Sequence, residues 1–193
     1  CPEPVTECKE YEMALSIYQS SVPLIKAMLS NLSTILAKAE LYAKNRKFDE
    51  KNLLDSRLFP DMFPLVKQIQ VATDQAKGGC ARLAGIEPPK FDDNETTIAQ
   101  LQDRIGKTIA FIDAIEPAQI DGAATRQIQY MMRDFNFEFS AQQYLTNWVL
   151  PNFFFHVTTA YNLLRQSGLE IGKADFLGVL VDFDIETKQV RAR

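Results

Sequence analysis

An apolar repeat of 3.6 residues, sustained in four separate segments, constrains this chain more than any other feature. In the first segment Ile25, Met28, Leu29, Leu32, Ile35, Leu36, Ala39 and Ala43 recur at steps of three and four. That spacing predicts one face of a helix from about Val22 to Lys44, with Pro23 suited to its first turn, where no N–H is needed. The second segment runs from Met62 to about Leu83 along Leu65, Val66, Ile69, Ala72, Ala76, Cys80 and Leu83. It opens on "FPDMFP", where Asp61 is placed to cap free N–H groups, and Gly85 ends it. The third spans roughly Ile98 to Ile115 on Ile98, Leu101, Ile105, Ile109 and Ile112, and Thr97 with Gln100 matches a capping box. The fourth begins at Ser140 with Gln143, a second such box, and continues to Gln166 before Gly168 closes it. A helix with one apolar face must bury it against a neighbour, so four of them imply an all-α four-helix bundle.

Between the third and fourth helices the period changes to two. Ile128, Tyr130 and Met132 alternate with polar neighbours, then Phe135, Phe137 and Phe139 do the same, which predicts a short β-hairpin turning near Arg133 and Asp134. Residues 47–60 read as a loop holding one short helix capped at Asp49. With 193 residues, 46% of them hydrophobic, the chain can bury one substantial core. The expectation is a single domain over 1–193, with the bundle at about 15–178, an N-terminal extension over 1–14 and a C-terminal tail over 179–193. The tail alternates in polarity without an identifiable partner.

Several function classes lose their support here. Lysine and arginine number 21 against 25 acids, a net charge of -4, so no basic field exists to neutralise a phosphate backbone and no nucleic-acid partner is expected. No apolar run reaches the roughly 18 to 20 residues that cross a bilayer, so no membrane partner is expected either. Three cysteines, Cys1, Cys8 and Cys80, have no metal-ligand spacing. Cys80 reads as a buried small hydrophobe, and Cys1 and Cys8 could join only in an oxidising compartment, so the expectation is a reduced, cytoplasmic chain. Gly78 and Gly79 are a lone pair late in a helix, not a phosphate loop, and neither G-x-S-x-G nor H-E-x-x-H occurs.

One residue stands out in what remains. His156 is the only histidine, in "LPNFFFHVTTAYNLLR", on a stripe with Leu145, Val149, Asn152, Thr159, Ala160 and Leu163. That stripe should face the bundle interior. Phe153, Phe154 and Phe155 surround it, and partial desolvation would favour its neutral form. Pro151 cannot donate to the Asn147 carbonyl and opens the turn below. Asp61 is either a helix cap or, if it faces the fourth helix, the carboxylate that orients His156 as a general acid/base pair. Gln68, Gln70 and Asp74 add polar groups on the second helix, and Tyr130, Tyr144 and Tyr161 add hydroxyls.

The phrases "SIYQSSVPLIKAMLSNLSTILAKAE", "RLFPDMFPLVKQIQVATDQAKGGCARLAG" and "LPNFFFHVTTAYNLLRQSGLEIGKADFLG" resemble an uncharacterised domain family of bacteria and fungi, allied to the DinB/YfiT-like bundles. The resemblance runs from about Leu15 to Gly178. It implies an up-down-down-up four-helix bundle, often dimeric, with a divalent metal held by three histidines, one on the second helix and two spaced H-x-x-x-H on the fourth. Aligned on "LLRQSG", His156 takes the second position of that pair and Asn152 the first, while the second-helix position falls near Gln68 or Gln70. Amides in two of three positions are poor ligands for nickel or zinc. Asp61 or Asp74 could rebuild a histidine/carboxylate set only if either came near His156. The expected site therefore has no metal and no cofactor. It pairs His156 and Asp61 as acid/base residues, with Asn152, Trp148, Phe153, Gln70, Tyr130 and Tyr161 around an apolar small molecule. The reactions consistent with it are isomerisation, cyclisation or hydrolysis. The alternatives are a non-catalytic ligand-binding or homodimerising bundle, and a metal-dependent enzyme of the wider DinB-like kind.

Overall fold

Each periodic segment forms a helix. A computed structural model describes residues 15–122, 125–132, 134–178, 181–184 and 189–192; Cys1, Cys8 and Arg133 lie outside them. The order is α1 (Val22–Arg46), α2 (Lys51–Leu54), α3 (Leu65–Ala84), α4 (Ile98–Asp113), α5 (Pro117–Asp121), β1 (Gln127–Met132), β2 (Phe135–Ser140), α6 (Ala141–Gln143), α7 (Leu150–Gln166), α8 (Lys173–Leu177), β3 (Val181–Asp184) and β4 (Gln189–Ala192). The protein is mostly helical, with a two-stranded hairpin before the last long helix and a second one, β3 with β4, in the tail. The four long helices pack α1 on α4, α4 on α3, α3 on α7 and α7 on α1. Their periodic positions make the core: Ile25, Leu29 and Leu36 of α1, Leu65, Ile69 and Ala76 of α3, Ile98, Leu101 and Ile112 of α4, and Phe153 and Ala160 of α7 are fully buried. No helix of the described residues is long and apolar enough to cross a membrane.

The second helix starts later than its sequence suggests. Its N-cap is Pro64 in extended backbone, with no side-chain cap, and Asp61 is exposed in the preceding turn. The reason lies in the two prolines. Pro64 pushes Phe63 away from helical backbone, so the helix cannot pass through 63 and 64, and Asp61 falls outside it. Hydrogen bonds from Leu65 N–H to Ser56 O (3.0 Å) and from Arg57 Nη1 to Met62 O (2.7 Å) shape the turn instead. Two other caps follow the sequence reading, since Thr97 with Gln100 and Ser140 with Gln143 form capping boxes; the short helix α2 has Glu50 at its N-cap position, one residue later than expected, and Asp49 Oδ1 accepts the Lys51 N–H at 2.9 Å.

From Ser140 the chain stays helical through a π-helical stretch, Tyr144–Val149, into α7. Leu150 N–H bonds to Leu145 O, five residues back, a wider turn that absorbs Pro151 at the second position of α7. Asn152 Nδ2 donates to Trp148 O at 2.7 Å across the same turn. In the hairpin Ile128 pairs with Phe139, Tyr130 with Phe137 and Met132 with Phe135, one alternating face. Its inner end packs on Trp148 and Tyr144, whereas Met131 and Phe135 at the outer end stay exposed.

The glycine pair late in α3 has a packing role. A Cβ on Gly79 would lie 2.5 Å from Val149 Cγ1, so the two helices touch backbone to side chain there. Gly79→Val should therefore cost about 1–3 kcal/mol through forced separation of the helices, read as a lower urea midpoint by far-UV circular dichroism. An unchanged midpoint would show that the contact is slack.

A charged rivet holds the 86–97 loop. Arg104 of α4, 2% exposed in its side chain, donates Nε to Thr73 Oγ1 (2.7 Å), Nη1 to Asp92 O (3.1 Å) and Glu95 Oε1 (3.0 Å), and Nη2 to Asp74 (2.8 Å), and Nη2 also pairs in charge with Asp93 at 3.1 Å. Four of its five N–H groups make hydrogen bonds, and three carboxylates surround it. Partial burial pushes the Asp93 carboxyl up, but Lys67 and Arg104 outweigh it and hold the pKa below its usual value. A carboxylate with a depressed folded pKa stabilises above its unfolded pKa and loses that contribution as pH falls through the folded one. Arg104→Met should thus destabilise by about 3–5 kcal/mol, because three carboxylates lose their shared cation. Asp93→Asn should flatten the acid limb of stability between about pH 4 and the lower folded pKa.

Candidate functional site

The site lies where α3 and α7 face each other. Gln68, one turn into α3, is 1% exposed and His156, near the middle of α7, is half-buried. His156 Nδ1 lies 2.7 Å from Gln68 Oε1. Gln68 Nε2 in turn donates to Phe63 O at 3.1 Å, which fixes the amide with its oxygen toward the ring. A carboxamide oxygen only accepts, so the Nδ1 proton belongs to the imidazole. Burial lowers the pKa of His156, and no carboxylate among the described residues counters it. The neutral ring therefore carries hydrogen on Nδ1 and a lone pair on Nε2, the form that accepts a proton or a hydrogen bond. Phe155, 56% exposed, stands edge-on to the imidazole with centroids 5.2 Å apart.

The expected partners are distributed more widely. Asp61, in the turn before α3, is exposed, and the ring's hydrogen-bond partner is Gln68 instead. Asn152 is half-buried one turn before His156 and binds the Trp148 carbonyl. Phe153 is fully buried among core residues. Gln70 sits two positions beyond Gln68, about 200° around the helix, and donates to Glu95 Oε2 at 2.8 Å in the Arg104 cluster. Tyr130 and Trp148 pack tilted at 51° with centroids 4.9 Å apart under the hairpin, and the Trp148 Nε1, buried among rings, has no acceptor among the described residues. Tyr161 packs edge-on against Phe176 at the far end of α7. The cavities found among the described residues lie elsewhere, against α4, the ends of α1 and α3, α2 and α8, and none of these is lined by His156. Cys80 is buried and its thiol is pushed up to about 12 by burial, which leaves it inert as a nucleophile.

The donor set does not fit a histidine-rich metal centre. Gln68, Asn152 and His156 offer one imidazole and two neutral amides, Asp74 is engaged by Arg104 and Lys77, and no three His, Cys, Asp or Glu side chains converge among the described residues.

The fold is that of a helical bundle, with a histidine–amide pair between two of its long helices. Residues 17–177 match a domain of unknown function, DUF1993, and the chain belongs to that family. A crystal structure of a DinB family member protein from Shewanella denitrificans is 41% identical, covers 84% of this chain and 92% of its own, and superposes with a TM-score of 0.79. No curated protein matches.

Sequence reading found His156 without its partner. Gln68 carried a signal only in its heptad position, a polar side chain on the stripe of Leu65, Ile69 and Ala72, as Arg104 did beside Ile105. Because His156 is the only histidine, carbethoxylation by diethyl pyrocarbonate reports it alone. The rate should rise through a midpoint below the ordinary value of about 6.5, and Gln68→Glu should move that midpoint up, since a neighbouring carboxylate favours imidazolium. A midpoint at or above the ordinary value that ignores Gln68→Glu would refute the pairing. The sign for stability follows: on acidification the unfolded chain protonates this histidine first, so its contribution falls as pH drops below about 6.5.

Proposed function

We propose that this protein binds a small apolar molecule in the groove between α3 and α7, where His156 Nε2 acts as hydrogen-bond acceptor and general base. The observation that carries the reading is the 2.7 Å bond from His156 Nδ1 to Gln68 Oε1, itself anchored on the Phe63 carbonyl. An amide partner orients the ring without adding charge, so the base stays neutral and matches an apolar substrate better than an ionic one. Exposed Phe155, edge-on to the imidazole, supplies apolar surface beside it. The reaction classes are proton shuffling, isomerisation, cyclisation or hydrolysis, with no cofactor. Asp61 would enter only by movement of the turn before α3, as a second proton carrier.

The bundle is read as one domain over about 15–178, up-down-down-up in its helix directions, acting in the cytoplasm. A second reading, a non-catalytic ligand-binding or homodimerising bundle, is favoured by the exposed hairpin end, where Met131 is 75% and Phe135 65% exposed. A metal-dependent activity of the DinB-like kind is the third, and its weakness is the amide-rich donor set.

His156→Gln keeps a donor for Gln68 Oε1 and removes the base. The variant should hold its stability to within about 1 kcal/mol and lose affinity roughly ten-fold or more for metabolites that ultrafiltration and mass spectrometry find retained by the native protein. Equal retention by both proteins would sink the acid/base reading and leave the second. Stoichiometric nickel or zinc in the purified protein would favour the third.

A further inference from the structure

We propose a separate binding site, for the phosphate group of a small phosphate monoester, in the cavity between the C-terminal end of α3 and β1, gripped by Arg82 and Arg126. The cavity has a volume of about 280 Å3 and is walled by those two arginines, Gly85, Glu87 and the β1 residues Gln127 to Gln129. Both arginines are held in place by neutral groups. Arg82 donates through Nη1 to Gly78 O (3.0 Å) and Tyr144 Oη (3.4 Å) and lies over the Tyr130 ring at 4.9 Å. Arg126 donates through Nη1 to Leu83 O at 2.9 Å.

Neither guanidinium has a carboxylate within salt-bridge distance among the described residues, and their Nε and Nη2 groups make no hydrogen bond there. Arg104 shows the contrast, with hydrogen bonds from Nε and both Nη groups and three acids around it. Arginines positioned by neutral acceptors, with a free fork each, are prepared for an oxyanion from outside the chain. Gly85 adds a second indication. Its φ is +71°, and a Cβ there would stand 2.4 Å from Arg126 Nη1, so the helix ends in the one residue type that lets the guanidinium lie against its backbone.

Charge sets the class of ligand. Two guanidinium groups against Glu87, the one acid in the wall, leave it net positive on a chain of net charge -4. A phosphate monoester near neutral pH carries close to two negative charges and three acceptor oxygens, enough for a fork from each side. A single carboxylate offers half that charge.

The test uses inorganic phosphate as the probe, titrated calorimetrically into the full chain at constant ionic strength made up with chloride. Phosphate should bind more tightly than acetate. Arg126→Gln should weaken it roughly ten-fold or more, and Glu87→Gln should tighten it several-fold by removing the opposing charge. Glu87 is exposed, so that variant folds even if Arg126→Gln does not, and it decides the matter alone. No binding beyond the chloride control, affinity no better than for acetate, or affinity unmoved by Glu87→Gln overturns the proposal. Diethyl pyrocarbonate labelling of His156 should be unaffected by phosphate, which keeps this outcome distinct from that of the α3–α7 groove.

Discussion

The contact on which the rest depends is the close approach of α3 and α7. Gly79 has no Cβ, and Val149 fills the space one would occupy. With the helices held that near, a glutamine on one reaches an imidazole on the other at 2.7 Å without a bridging group. The π-helical stretch just before Leu150 serves the same contact. It adds a residue to one turn, accommodates Pro151, and sets the phase in which α7 presents Phe153 inward and His156 toward Gln68.

Buried polarity is used in three different ways around this frame. Arg104 is surrounded by acids, and its work is to fasten a proline-containing loop onto two helices. Gln68 is held between a carbonyl and a ring, and that placement chooses the tautomer. Arg82 and Arg126 are positioned but not saturated, and that difference separates a structural cation from a receptive one. Desolvation makes these distinctions matter, because a buried donor or acceptor left without a partner costs about 1–3 kcal/mol. Trp148 Nε1 is the exception, a buried N–H whose surroundings are Tyr130, Phe137 and Phe139. The negative faces of such rings are the available compensation.

The site was only partly legible in the sequence. His156 could be singled out because it is the only histidine and lies on a helical stripe otherwise made of apolar and small residues. Its partner could not, because Gln68 and Gln70 differ by two positions and the sequence does not show the rotation of α3 about its axis. That rotation sends Gln68 to His156 and Gln70 to Glu95. Asp61 looked like a cap because its residue type is right. Two prolines moved the helix start beyond it.

The sequence by itself determined the elements. Apolar periods of 3.6 and of two, the Thr97 and Ser140 capping boxes and the glycines after α3 and α7 are local signals, and local backbone preferences act on neighbours along the chain. The tertiary structure alone decided which polar groups meet. Pairings such as His156 with Gln68, separated by 88 positions, or Arg104 with Asp74, separated by 30, depend on how far apart helices pack and how each is turned. Side-chain volumes from several elements at once set those quantities, and no single stretch of chain contains them.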